Sequence, residues 1–134
     1  MSNQQILDSF RELSDSFKRL LSYSKNAKED YEKINVAKRF RMTFDLFIKN
    51  LSLILVEYKV NCKFPSDYIR NAAKFGIINN EKVFLQMLED KYKLTNLSNL
   101  KLPDEIYKNI VKYIIILRKY IEKIEEEYIS NKKS

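Results

Sequence analysis

The side chains that most often carry catalysis are scarce in this sequence. Its 134 residues include no histidine and a single cysteine, Cys62. Without an imidazole, Ser–His and Cys–His nucleophile pairs cannot form, and the commonest zinc ligand is missing. Cys62 is interpreted as an incidental thiol, because no histidine could activate it, and a lone cysteine fits a reducing compartment. We therefore expect a protein that is not an enzyme and that holds no cofactor or metal ion.

The net charge of +7 could attract nucleic acid or an anionic membrane surface. The excess of basic side chains is spread evenly, however, as +2, +2, +2 and +1 over residues 1–28, 29–63, 64–102 and 103–134. Because this distribution forms no basic arm, a mildly basic solvated surface is the favoured interpretation. Weak, non-specific RNA binding by a helical bundle remains an alternative, and its affinity would fall steeply with added salt.

The lengths of the apolar runs and the first ten residues indicate where in the cell the protein is located. The longest uninterrupted apolar runs contain four residues, far fewer than the ~20 that a membrane-spanning helix needs. The first ten residues, MSNQQILDSF, have neither the basic start nor the apolar stretch of a signal peptide. We therefore expect a cytoplasmic protein that does not enter a membrane.

Hydrophobic residues recur at intervals of three or four along most of the chain, which is typical of amphipathic helices. A single glycine leaves few places for tight hairpin turns, so an all-β fold is disfavoured. We predict an all-α, antiparallel up-and-down four-helix-type bundle with short extra helices, forming a single domain over residues 1–134. The predicted helices span 3–24, 29–60, 65–75, 80–91 and 103–129, with a polar connector at 25–30, a loop at 92–102 and a frayed tail at 130–134.

The long second helix carries two apolar stripes. One stripe, at steps of three or four from Ile34 to Tyr58, would face the core of the bundle. The further stripe would stay partly wet in a monomer, and such surface usually marks an interface. We therefore predict a homodimer that uses this second stripe and the region around residues 90–96; the alternative is that the short helices 65–75 and 80–91 cover the stripe. The stripe consists of Met42, Leu46, Leu53 and Val56.

Three strings in the middle of the chain carry a family resemblance. RFRMTFDLFIK at 39–49 resembles RFEYTFELAWK, PSDYIRNAAKFGII at 65–78 resembles SPREVIREAFKAGLI, and FLQMLEDK at 84–91 resembles WLEMLEDR. In order and spacing, these strings are similar to those of the nucleotidyltransferase substrate-binding proteins. That family is a branch of the HEPN (higher eukaryotes and prokaryotes nucleotide-binding) superfamily.

The resemblance implies a fold, partners and a site. It implies a HEPN-like bundle of about five helices, usually a homodimer, that assembles with a minimal nucleotidyltransferase, often as a toxin–antitoxin pair. Active HEPN toxins cleave RNA with an Arg-x4-6-His motif, in which arginine holds a phosphate while histidine moves protons. The matching positions here are Asp90, Lys91 and Asn96. Lys91 lacks the bidentate fork of arginine, and Asn96 cannot shuttle a proton. The tyrosine that accepts adenylyl groups in some members falls on Ser98.

Several of these residues also have plainer interpretations. Asp90 and Lys91 could simply end a helix, where lysine complements the helix dipole, and Asn96 could be a loop or capping residue. Three cations of the matching strings are candidate anion contacts, although each could be an ordinary solvated charge: Arg39, Lys49 and Arg70.

The leading hypothesis is a non-catalytic HEPN-like subunit that binds a nucleotidyltransferase and helps to present its nucleotide or other substrate. The alternative from another class is a HEPN-type ribonuclease toxin with a degenerate motif, in which Lys91 would bind the phosphate of RNA. That alternative lacks a group with a pKa suited to proton transfer.

Overall fold

The computed structural model describes residues 3–95 and 102–130, and within these ranges every regular element is helical. The predicted all-α bundle is confirmed. The helices are α1 (Asn3–Asn26), α2 (Asp30–Val56), α3 (Pro65–Lys74), α4 (Glu81–Thr95) and α5 (Asp104–Ile124), and α5 continues as a π-helix over Glu125–Ser130. None of these described helices is long and apolar enough to cross a membrane.

Local hydrogen bonds fix the starts of α2 and α3. The Glu32 carboxylate accepts the backbone N–H groups of Lys28 and Glu29, at 3.1 and 2.9 Å. Asp67 does the same before α3, where Pro65 occupies the first turn without the loss of a needed N–H donor. Each carboxylate thus satisfies N–H groups at or just before a helix start, where the backbone donors lack intrahelical partners. After α3, Gly76 has a φ of +75°, as expected for a left-handed cap.

Two predicted helix ends were wrong. The second helix ends at Val56 rather than at residue 60, because the following N–H groups bond three residues back and Lys59 adopts a left-handed φ of +56°. The fourth helix continues through Thr95 instead of giving way to a loop after residue 91, because this extension buries Leu94. The last helix changes to wider π-helical turns after Ile124 and continues to Ser130, which agrees with the predicted end near residue 129.

The four longer helices alternate in direction, and α3 lies in the connection between α2 and α4. Contacts of Tyr23 with Arg39 and of Glu12 with Lys49 show that α1 and α2 are antiparallel. Phe40 stacks on Tyr113 and Phe47 contacts Tyr120 edge-on, so α2 and α5 run in the same direction. The order is therefore up-down-up-down, with α2 packed against all four other helices.

The core is rich in aromatic rings. Phe40, Phe44 and Phe47 of α2 are fully buried and form a continuous row along the helix. The row extends to Phe84 of α4, whose ring lies 4.9 Å from that of Phe47. Aromatic pairs of this kind stabilise a core beyond the area they bury.

A buried polar chain crosses this core. The Tyr120 hydroxyl donates to Asn50 Oδ1 at 2.6 Å, and Asn50 Nδ2 donates to Ser9 Oγ at 2.8 Å. Ser9 Oγ in turn donates to the carbonyl of Ile6. Asn50 is completely buried, so it joins α1, α2 and α5 at one point.

Candidate functional site

Asp90 is a buried carboxylate that joins α4 to α5. Its Oδ2 accepts the hydroxyl of Tyr113 at 2.6 Å and the amide of Asn109 at 3.2 Å, and only 4% of the residue is exposed. Lys93 Nζ lies 3.9 Å from the other carboxylate oxygen. Because α4 continues to Thr95, Asp90 and Lys91 lie in its last turns and do not themselves end the helix.

Lys91 lies one residue further on and faces α2. Its Nζ is 3.0 Å from Asp45 Oδ1 and 5.2 Å from the centre of the Tyr92 ring. The lysine side chain is 19% exposed, whereas that of Asp45 is 59% exposed. The charge of Lys91 is therefore paired within the protein, and an anionic ligand would have to compete with Asp45 for it.

The three candidate anion contacts lie on different parts of the molecule. Lys49 is 3.3 Å from Glu12 of α1, while Arg70 lies exposed on α3. Arg39 is half-buried, and its guanidinium carbon lies 5.9 Å from the centre of the Tyr23 ring. The fold thus does not bring these cations into one site, and Arg39 lines a groove that contains neither Lys49 nor Arg70.

That groove lies between the C-terminal part of α1 and the N-terminal part of α2. It encloses about 660 Å³. Two of its tyrosines are well exposed, Tyr23 at 45% and Tyr31 at 67%. The lining residues are Ser22, Tyr23, Asn26, Tyr31, Glu32, Asn35, Lys38, Arg39 and Met42.

The sequence analysis did not predict this groove. A signal was present in the positions of its two tyrosines. Tyr23 lies in the last turns of one predicted helix, and Tyr31 lies in the first turn of the next, on either side of the polar connector 25–30. Antiparallel packing of two consecutive helices brings such residues to the same end of the pair.

Cys62 lacks the surroundings of a reactive thiol. It is partly buried, and Asn71 Nδ2 lies 3.6 Å from its sulfur. Burial, followed by the nearby charge of Asp67, raises the pKa of the Cys62 thiol above its ordinary value. Because the thiolate is the reactive form, this environment makes Cys62 a weaker nucleophile than a free cysteine.

Comparison with protein families identifies the chain. A model of the family described as nucleotidyltransferase substrate binding protein like matches residues 5–126. The chain belongs to this family. The three strings that carry the resemblance all lie inside the matched range, so that prediction is confirmed. A search of curated proteins finds no match.

The family's motif region is only partly described. Asp90 and Lys91 occupy the last turns of α4, where Asp90 accepts hydrogen bonds from α5 and Lys91 pairs with Asp45. Asn96 and Ser98 lie outside the described residues. The observed ion pair with Asp45 gives this lysine a structural partner.

The predicted second stripe of α2 is partly covered. Leu46 and Leu53 are half-buried and pack against the core, but Met42 is 51% and Val56 is 47% exposed. The short helices therefore do not cover the whole stripe. Met42 also lines the groove, so groove and stripe meet at this residue.

The Asp90–Tyr113 pair predicts a loss of stability at alkaline pH. Burial, and next the hydrogen bond to Asp90, raise the pKa of the Tyr113 hydroxyl well above its ordinary range. Burial likewise raises the pKa of Tyr120, and that of Tyr128 to about 12. The folded protein therefore keeps protons that the unfolded chain loses near pH ~10, so the free energy of unfolding should fall as the pH rises above about 10.

Urea unfolding at pH values from about 8 to about 11 measures this decline. Tyr113→Phe removes one of the titrating hydroxyls, so its unfolding free energy should start lower at pH ~8 and then fall less than that of the wild type. A variant that declines as steeply as the wild type would show that Tyr113 is not responsible.

Proposed function

We propose that this protein is a non-catalytic subunit that binds a nucleotidyltransferase and helps to present its substrate. The family match over residues 5–126 carries the proposal, because the family is described by substrate binding for that class of enzyme. A partner enzyme would supply the transfer chemistry, and the helical bundle would supply a binding surface.

The chemistry of the motif region supports a non-catalytic role. Lys91 is paired with Asp45, and Asp90 accepts two hydrogen bonds in the packing between α4 and α5. The chain has no histidine, and burial raises the pKa of its single thiol. Neither a proton-transfer group near neutral pH nor an activated nucleophile supports RNA cleavage by this chain.

Co-expression with a minimal nucleotidyltransferase from the same host tests the proposal. The two chains should elute together in size-exclusion chromatography at a fixed ratio. Separate elution at micromolar concentration would count against a stable complex. The matched control is a minimal nucleotidyltransferase from an unrelated pair. It has the same enzyme fold but lacks the surface that would recognise this chain.

An RNA digestion tests the non-catalytic part separately. We expect purified protein to leave both structured and unstructured RNA intact, because the sequence has no histidine to move the 2′-hydroxyl proton. Cleavage that disappears in Lys91→Ala would overturn this expectation and favour the degenerate ribonuclease. Cleavage that persists in this variant would point to a contaminating nuclease.

We further propose that the pair acts as toxin and antitoxin, with this chain binding its partner directly. The resemblance supports this role. Expression of one chain alone should then slow growth, and co-expression should restore it. Normal growth with either chain alone would contradict the toxin–antitoxin part and leave the binding role intact.

A further inference from the structure

We propose that the groove between α1 and α2 binds a nucleoside phosphate, with the base against Tyr23 and Tyr31 and the phosphate against Arg39 and Lys38. This inference rests on the proposed function, for which it names a substrate class and a site. The groove is separate in structure from the Asp90–Lys91 region, which lies where α4 meets α2 and α5.

The charge of the groove favours an anion. Arg39 and Lys38 contribute two positive charges, and none of the ion pairs among the described residues involves either. Glu32 contributes the negative charge, but its Oε1 already accepts two backbone N–H groups at the start of α2. These hydrogen bonds lower the pKa of Glu32 and fix its carboxylate at the helix end. The two cations therefore remain for a ligand.

Arg39 is held in a way that suits phosphate. Its guanidinium lies 5.9 Å from the centre of the Tyr23 ring, and its Nε is buried without a hydrogen-bond partner among the described residues. Contact with the ring limits the orientations of the side chain before any ligand binds. A planar guanidinium fixed in this way can donate two parallel hydrogen bonds to phosphate oxygens.

The aromatic residues of the groove suit a base. Tyr23 is 45% exposed and Tyr31 is 67% exposed, so a ligand in the groove can reach both rings. Stacking on such rings accepts any base, because every base presents a flat aromatic face. The amides of Asn26 and Asn35, both exposed in the same lining, can donate and accept hydrogen bonds at the base edge.

The dimensions agree with a small ligand. A volume of about 660 Å³ falls within the range of pockets that hold small molecules and cofactors. The same chemistry could come from a free nucleoside triphosphate or from the terminal nucleotide of an RNA. Both sources present a base and a phosphate. A competition titration can distinguish the free nucleotide from the RNA.

Fluorescence anisotropy with labelled ATP measures binding to the full chain. Unlabelled ATP, GTP, CTP and UTP should compete, whereas adenosine and inorganic triphosphate should compete poorly because each lacks half of the ligand. A short single-stranded RNA forms the second arm. Competition by the RNA with at least the strength of ATP would identify a terminal nucleotide as the source, and stronger competition by ATP would identify the free nucleotide.

Variants of the groove connect binding to its residues. Arg39→Ala should weaken binding about 10- to 100-fold, as expected for the loss of a charge-assisted contact. Tyr23→Ala should weaken it about tenfold, whereas Tyr23→Phe keeps the ring and should bind like the wild type. Arg118→Ala removes the same charge from an exposed position of α5 outside the groove and is the matched control, with an expected change below about twofold. Circular dichroism checks that each variant keeps its helicity.

Three results would overturn the inference. The first is no binding of ATP or RNA up to about 1 mM. The second is an equal loss in Arg118→Ala and Arg39→Ala, which would indicate attraction by net charge. The third is a fall in the mass of the assembly when Tyr31 is replaced by alanine, because the groove would then be an interface between copies. Co-elution with the nucleotidyltransferase is measured independently, so this inference can fail while the proposed function stands.

Discussion

Replacing Asn50 with leucine is expected to lower the free energy of unfolding by about 3 kcal/mol, with a fall of roughly 10 °C in the midpoint of thermal unfolding. Asn50 is completely buried and is the acceptor for the Tyr120 hydroxyl. Leucine has a similar volume but leaves that hydroxyl without a partner in the core. The cost of desolvating an unpaired buried polar group exceeds the apolar gain.

A double-mutant cycle separates the hydrogen bond from the packing. Tyr120→Phe alone leaves Asn50 Oδ1 without its donor and should also destabilise the fold. The double variant replaces both partners with apolar groups, so it should lose less than the sum of the single losses, by about 1–2 kcal/mol. Asn35→Leu places the same substitution at an exposed position of α2 and should change stability by less than about 0.5 kcal/mol.

Additive losses in this cycle would contradict the assigned pairing. Such a result would mean that the Tyr120 hydroxyl finds another partner once Asn50 is gone. An Asn50→Leu variant as stable as the wild type would mean that the polar chain contributes nothing to stability. Chemical unfolding, monitored by circular dichroism at neutral pH, distinguishes both results from the expected one.

The fold was largely predictable because apolar spacing determines which face of each helix is buried. The rows of α1 and α5 repeat strictly enough to place both helices, and proline and glycine mark both ends of α3. The ends of α2 and α4 were not predictable from spacing. One end depends on a left-handed residue, Lys59, and the other on the burial of Leu94 by tertiary packing.

The polar contacts of the core were harder to foresee. Asn50 interrupts an apolar face between Phe47 and Ile54, and this exception was the only signal of the buried chain. Its partners Ser9 and Tyr120 lie 41 and 70 residues away along the sequence. Periodicity carries no information about such distant pairs, since it describes one helix at a time.

The candidate site, like the fold, was only partly predictable from the sequence. The matching strings led to Asp90 and Lys91, but spacing could not show that Tyr113 and Asp45 engage them. Among the three suggested cations, only Arg39 lies in the groove, because its partner Tyr23 comes from the preceding helix. A site built by two helices is visible from sequence only after their antiparallel packing is known.

Replacing Leu53 with glutamate is expected to halve the mass of the protein in solution. The stripe of α2 leaves Met42 at 51% and Val56 at 47% exposure, with Leu46 and Leu53 half-buried between them. We propose that a second copy covers this stripe, since two-fold pairing lets the same surface serve both chains. A glutamate at the centre of such an interface would bury a charge from each copy without a partner.

Light scattering at micromolar concentration measures the mass directly. The wild-type protein should have twice the 16.1 kDa of one chain, and Leu53→Glu should return it to that value without loss of helicity. Ile115→Glu is the matched control, because Ile115 is 57% exposed on α5 and lies outside the stripe.

A wild-type mass of one chain would refute the dimer. Equal effects of the two substitutions would show that the association is not specific to α2. A dimer that survives Leu53→Glu but dissociates in Met42→Glu would place the interface at the N-terminal part of the stripe.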